Sequence, residues 1–375
     1  MVTMRDTLVY LGTYTEKSPD GGGSKGVYVA PLNAATGQLG EPRVAAELEN
    51  PSFVAISRDH RFLYAVSEVA VADATGEKSG FVSAYSIGAD GGLTALNRVS
   101  SGGADPCHIV VSRSGRTVAV ANYSSGSTVA LAVNADGSLG KATIDRHVGH
   151  GPNAQRQEAP HAHSVDFTSD DRFLLSCDLG ADRVYLYRHD VRTGAISPHA
   201  PPGVGLEPGS GPRHLALHPS GRYVYVIVEL TSGIATFAWN ASAGRMVQRQ
   251  TISTLPFGYT APSTTAEIVV HPTGRFVYGS NRGHDSIAAF SVDARNGRLT
   301  ALGTTPTGGK APRSFAIDPS GRWMLVANQL SNQVVSFAID QRTGALEPTG
   351  DSVALPRPVC VLFLPSSPPT SRPSR

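Results

Sequence analysis

The chain has 375 residues, 40% of them hydrophobic and 17% charged, with a formal net charge of +2. That balance offers no electrostatic footprint for nucleic acid or an acidic membrane surface, and no apolar run reaches bilayer-spanning length. Its 40 glycines and 26 prolines suit a turn-rich all-β protein and argue against a helical one.

The N-terminal stretch from Met1 to Tyr14 lacks the apolar core of a signal peptide, so a cytoplasmic protein is expected. Within it, Leu8 to Tyr14 reads as a strand with no partner before it. Gly21-Gly22-Gly23-Ser24 follows and opens no helix, so it reads as a flexible turn.

From residue 58 onward one marker recurs, a polar turn ending in Arg and followed by an apolar strand. The copies end at Arg61, Arg116, Arg172, Arg222, Arg275 and Arg322, 47 to 56 residues apart. A short strand precedes each turn and a longer one follows it. A second marker, Gly-X-Leu (or Ile, Met) after a polar turn, occurs at Gly37, Gly91, Gly137, Gly194, Gly244, Gly297 and Gly344. It marks a second hairpin in each unit. Four antiparallel strands per unit of about 50 residues predict propeller blades.

Seven second hairpins accompany six complete first hairpins. Val359 to Leu364 reads as a first strand with no second. Pairing it with the N-terminal strand completes a seventh blade and removes two open sheet edges. The expected fold is therefore an all-β seven-bladed β-propeller of four-stranded antiparallel blades, forming a single domain over residues 7–365. The Pro/Ser-rich residues 366–375 are expected to be a disordered tail. Cys107, Cys177 and Cys360 are odd in number, far apart and set in apolar runs, which predicts buried reduced thiols.

The first strand of each blade lines the channel of such a ring. Counting from the marker Arg, the residue nine before and the residue seven after then lie opposite each other at one mouth. Nine before stand Ser52, Cys107, His163, Arg213, Ala266 and Arg313, and eight before stand Phe53, His108, Ser164, His214, Glu267 and Ser314. Seven after stand Glu68, Tyr123, Leu179, Glu229, Arg282 and Gln329, and six after include Asn281 and Asn328. Arg213 and Glu229 are expected across one hairpin, with His163 facing Leu179. Four insertions reach the same mouth, at residues 70–80, 148–160, 201–212 and 256–265, which suggests a binding rim.

His161-Ala162-His163 puts two imidazoles on one side of a strand. That pattern fits acid–base chemistry, a metal pair or hydrogen-bonded structural histidines. No spaced Cys/His cluster supplies further ligands, so no metal or other cofactor is expected. Arg213, Arg282 and Arg313 converging on one mouth predict a small anionic substrate, with Glu229 and Glu267 as the available acids.

Pro160-His161-Ala162-His163, Asp178-Leu179-Gly180-Ala181-Asp182-Arg183-Val184, Gly211-Pro212-Arg213-His214, Ser280-Asn281-Arg282-Gly283-His284-Asp285 and Ala327-Asn328-Gln329 together resemble the propeller-type 6-phosphogluconolactonases. That wider lactonase family also includes carboxy-cis,cis-muconate cyclase. The resemblance implies a metal-independent sugar-lactone hydrolase of the pentose phosphate pathway. Matched by strand position, it implies catalytic roles for His163, Arg213, Glu229 and Arg282. Substrate contacts are expected from His161, His214, Glu267, Asn281, Arg313, Asn328 and Gln329, and the protein is expected to be a monomer or weak homodimer. A lactonising cycloisomerase of a dicarboxylate and a non-catalytic propeller are the competing readings. Val228-Glu229 departs from the Asn-Glu expected of the family.

Overall fold

The computed structural model describes residues 7–16 and 23–364. The predicted tail and the start of the Gly21–Ser24 turn lie outside the described residues. Within them the strands form seven four-stranded sheets. Blade 1 combines residues 7–47 with Pro358–Leu364. Blades 2 to 7 occupy residues 54–100, 106–146, 162–205, 212–253, 264–306 and 312–354.

Ring closure is as the sequence predicts. Pro358–Leu364 is the innermost strand of blade 1 and pairs antiparallel with Thr7–Thr13, from Leu8 opposite Leu364 to Gly12 opposite Cys360. The apolar core is divided among the blade interfaces. Seven buried clusters occur, and each draws its side chains from two adjacent blades.

Both sequence markers serve those interfaces. The glycine of the second marker turns at positive φ, and in five of the seven copies it lies against a ring on the neighbouring blade. Gly297 has φ +75°, and a Cβ there would sit 2.4 Å from Tyr223 Cδ1. Gly137 meets Phe62, Gly344 meets Phe276 and Gly37 meets Trp323 in the same way. These rings directly follow the marker arginines. Two residues further on, a tyrosine closes the latch. Tyr225 donates to the Gly297 carbonyl at 3.1 Å, Tyr278 to that of Gly344 at 2.9 Å, and Tyr64 to that of Gly137 at 3.0 Å. Several marker arginines stack on their ring and cap a carbonyl of the next blade, as Arg222 does with Ala294 at 2.7 Å.

The innermost strands depart from the predicted register. Pro212 pairs with Val228 and His214 with Ile227, which leaves Arg213 as an extra, unpaired residue. The same β-bulge isolates Cys107, His163 and Arg313. In blade 6, Ala266 and Glu267 oppose Ser280 between the pairs Thr265–Asn281 and Ile268–Gly279. His163 therefore does not face Leu179, whose N–H bonds the carbonyl of His161. A bulge re-aims side chains. Here it puts the side chains of Arg213 and His214, adjacent in sequence, within hydrogen-bond reach of each other.

Candidate functional site

A cavity of about 330 Å³ opens at the mouth where the bulges lie. It is lined by Tyr14, Glu68, Cys107, Tyr123, Arg156, His163, Glu229, Arg282 and Arg313. Cys107, His163 and Arg313 come from bulges, Glu68 from a strand irregularity and Arg282 from a strand end; Tyr14, Tyr123 and Glu229 lie just past strands, and Arg156 is carried on the 148–160 connection.

Glu229 is the electrostatic centre. Arg213 Nε donates to its Oε2 at 2.9 Å and Arg156 Nη2 to its Oε1 at 2.7 Å. Arg282 Nη2 lies 3.1 Å from the same Oε2. Burial alone would favour the neutral acid, but the three guanidinium groups prevail and hold Glu229 at about 2. It is a carboxylate throughout the physiological range. Arg213, 2% exposed, also donates through Nη1 to the Ala266 carbonyl (2.7 Å) and to His214 Nε2 (3.1 Å). Arg282 gives its Nη2 to the Thr265 carbonyl at 2.8 Å. Its buried Nε has no partner among the described residues.

Across the cavity, Arg313 Nη2 donates to the Tyr14 hydroxyl at 2.8 Å, and that hydroxyl donates to Glu68 Oε1 at 2.9 Å. Burial raises the Glu68 carboxyl above its ordinary value, with Arg313 opposing. His163 is buried beside Tyr123, and its Nδ1 lies 3.7 Å from Cys107 Sγ. Burial, then the field of Arg213, pushes the imidazole well below its ordinary value. It is neutral, and Nε2 has no hydrogen-bond partner among the described residues.

Deeper in the channel, His214 accepts from Arg213 at Nε2, so its Nδ1 carries the proton and donates to Glu267 Oε1 at 2.9 Å. Burial pushes Glu267 up to about 7. Among the described residues no three His, Cys, Asp or Glu side chains are grouped to hold a metal ion.

A seven-bladed ring with bulge-borne guanidinium groups at one mouth is a specific constellation, and it has known counterparts. The family model described as "Lactonase, 7-bladed beta-propeller" matches residues 8–363. The chain belongs to this lactonase family. It is 37% identical over 363 residues to the 6-phosphogluconolactonase of Bacillus subtilis, covering 96% of this chain and 99% of that protein. To the 6-phosphogluconolactonase of Formosa agariphila it is 33% identical over 317 residues, covering 82% and 84%. The solved structure of the Pseudomonas aeruginosa periplasmic gluconolactonase superposes with a TM-score of 0.87 at 33% identity, over 96% of this chain and 99% of that one.

In this lactonase the structure gathers His163, Arg213, Glu229 and Arg282 into one cluster, with Arg313 on the far wall and His214 and Glu267 beneath. Four expected substrate contacts, His161, Asn281, Asn328 and Gln329, lie outside the cavity wall. The Asn281 side chain donates to the Thr254 carbonyl at 3.0 Å and accepts from the Thr254 hydroxyl at 2.6 Å. That of Asn328 donates to the Thr307 carbonyl at 3.3 Å. Both are fully buried within their blades, one residue out of step with the cavity column. Gln329 begins a short 3₁₀ turn, Gln329–Ser331, and is absent from the cavity wall. His161 stacks on Tyr123 at 4.5 Å, donates through Nδ1 to the Tyr123 carbonyl at 3.1 Å and lies 3.1 Å through Nε2 from Glu158, so it braces the wall from behind.

Sequence reasoning nominated none of Tyr14, Glu68, Cys107, Tyr123 and Arg156 as site residues. Glu68 and Tyr123 stood in the seven-after column and Cys107 in the nine-before column. Arg156 was the cation of an insertion already marked as rim. The other three insertions contribute no side chain to this cavity. Residues 70–80 are mostly strand, since Phe62–Ala72 and Lys78–Ile87 extend into them.

Proposed function

We propose that this lactonase opens 6-phospho-D-glucono-1,5-lactone to 6-phosphogluconate at the bulge-lined mouth. One observation carries the reading. Arg156, Arg282 and Arg313 line a cavity whose ionised acid, Glu229, is backed by Arg213, and a neutral imidazole lines the same space. The surplus of cationic charge suits an anionic substrate. A volume of about 330 Å³ matches one sugar phosphate and is too small for an oligosaccharide.

In this mechanism His163 Nε2 takes a proton from the attacking water as its oxygen bonds to the lactone carbonyl carbon. The oxyanion that forms is met by the Arg282 guanidinium, which lines the cavity. Collapse breaks the bond to the ring oxygen, and the imidazolium returns its proton to that oxygen as it leaves. General-base help of this kind is worth roughly 10²–10⁴-fold. Glu229, at about 2, is too weak a base for the water step. Its role is to hold Arg156, Arg213 and Arg282 in one fan. Arg313 and Arg156, on opposite sides, receive the phosphate.

The test is kcat/KM on the phosphorylated lactone for the wild type, His163→Ala, Arg282→Gln and Arg213→Ala, corrected for spontaneous hydrolysis. Loss of about 10²-fold or more in His163→Ala is expected. Wild-type rates in all three variants would sink the site assignment. A parallel assay on unphosphorylated glucono-1,5-lactone tests the phosphate, because the Pseudomonas relative is described as a gluconolactonase. Equal kcat/KM for the two lactones refutes the phosphate preference. No helix among the described residues is long and apolar enough to cross a membrane. We place the protein in the cytoplasm as a monomer or weak homodimer, to be checked by cell fractionation and sedimentation.

A further inference from the structure

The face opposite the lactone site carries a larger cavity, of about 990 Å³, walled by turns of blades 2, 3 and 4. Five guanidinium groups line it, those of Arg58, Arg61, Arg113, Arg116 and Arg192, against the one carboxylate of Asp59. Asp59 is already engaged, accepting from the Ser57 hydroxyl at 2.6 Å and lying 3.8 Å from Arg61. The nearby carboxylates Asp136 and Asp190 accept hydrogen bonds within their own turns.

These arginines are departures from the repeat. The first residue of the marker turn is Pro in blades 5 to 7 and Ser in blade 4, but Arg58 and Arg113 in blades 2 and 3. The marker arginines differ as well. Arg222, Arg275 and Arg322 each cap backbone carbonyls of the next blade, at 2.7 to 3.0 Å. Arg61 and Arg116 cap none among the described residues. Arg61 keeps its ring, Phe62. Arg116 is followed by Thr117 where the other complete copies have an aromatic residue, so it has no ring to lie on. The buried Thr117 side chain bonds at 2.9 Å to His189 instead. The turn that carries Arg113 and Arg116 is nevertheless fixed, because the Asp171 carboxylate accepts from the N–H groups of Arg113 and Ser114 at 2.8 and 2.7 Å.

We propose that this cavity is a second binding site, selective for a small molecule bearing two or more phosphate groups. Guanidinium groups on several fixed turns match the spread oxygens of a polyphosphate and exceed what one sulfate needs. The chain as a whole carries a net charge of only +2, which favours a small ligand over a nucleic-acid strand.

The test is calorimetric titration of the full chain with inorganic tripolyphosphate, in about 0.15 M salt to screen diffuse attraction. Stoichiometric binding is expected to persist in Arg282→Gln/Arg313→Gln protein, which removes the anion-binding groups of the lactone site. It is expected to weaken about tenfold or more in Arg58→Ser/Arg116→Gln protein and again in Arg113→Ser/Arg192→Gln protein. An unchanged melting temperature is the folding control, so the outcome does not depend on the lactone assay. The proposal is overturned by absent binding, by wild-type affinity in both cavity variants, by sulfate binding as tightly as tripolyphosphate, or by a short single-stranded DNA binding more tightly.

Discussion

Glu229 and Glu267 are two buried carboxylates of one channel with opposite fates. Glu229 is drawn to about 2 by its arginine fan, against an ordinary 4.5. Its stabilising contribution is therefore present above pH 4.5 and is lost as pH falls through about 2. Replacing it with Gln strands three buried or half-buried cations, so Glu229→Gln should destabilise by about 3–5 kcal/mol at pH 7. The deficit should shrink in acid as the wild type itself protonates, and urea midpoints at pH 7 and pH 3 check this. Glu267, raised to about 7 by burial, behaves in reverse. Its folded form holds a proton that the unfolded form releases above 4.5. The associated stability is full below 4.5 and is lost as pH rises through about 7. Wild-type melting temperature should fall between pH 5.5 and 8.5 relative to Glu267→Gln, and parallel curves would refute the assignment. The cluster His163, Arg213, Glu229 and Arg282 was legible in the sequence because polar residues recurred at fixed distances from a repeated Arg. Arg156 was not, because a connection between blades carries no register from which to project its position. Asn281 and Asn328 were misplaced because neighbouring residues of a strand point to opposite faces. Counting from the turn located their height in the blade and not their direction.

At the level of the hairpin, the second marker acts as an inter-blade latch, and two substitutions separate its parts. Gly297→Ala forces a Cβ to 2.4 Å from the Tyr223 ring at a φ of +75°. Strain and overpacking should cost about 2 kcal/mol or more. Tyr225→Phe removes one hydrogen bond to the Gly297 carbonyl and should cost about 1 kcal/mol. Urea unfolding of both variants tests the order, and a neutral Gly297→Ala would show that the ring contact is dispensable. The sequence revealed these hairpins through their turn residues. It did not reveal the partner ring, which lies 68 to 75 residues away in the copies at Gly344, Gly137, Gly297 and Gly244 by a relation between successive blades that no local pattern encodes. The bulges were equally hidden, since one extra residue at a strand end leaves the apolar alternation beyond it intact.

For the whole ring, stability depends on closure. Thr7–Thr13 is the second strand of blade 1 and depends on Pro358–Leu364 for its inner neighbour. The latter strand also packs into the clusters shared with blades 7 and 2. Ending the chain after Arg357 should leave two apolar blade flanks and an inner strand edge open to water. Self-association and loss of a single cooperative melt are expected, read by size-exclusion chromatography and calorimetry. A monomer with an unchanged transition would contradict the role given to closure. This global feature was the most readable of all, because two terminal fragments that each lacked a partner were complementary.

The recurrent bulge has a consequence for how such a site can change. On either side of Arg213 the ladder stays paired, Pro212 to Val228 and His214 to Ile227. Arg213 itself has no partner opposite it in the ladder. Cys107-His108, His163-Ser164, Arg213-His214, Ala266-Glu267, Arg313-Ser314 and, in blade 1, Val359-Cys360 are six cartridges set in corresponding sockets. A new specificity can be loaded by exchanging a dipeptide, while the ring that holds it goes on folding as before.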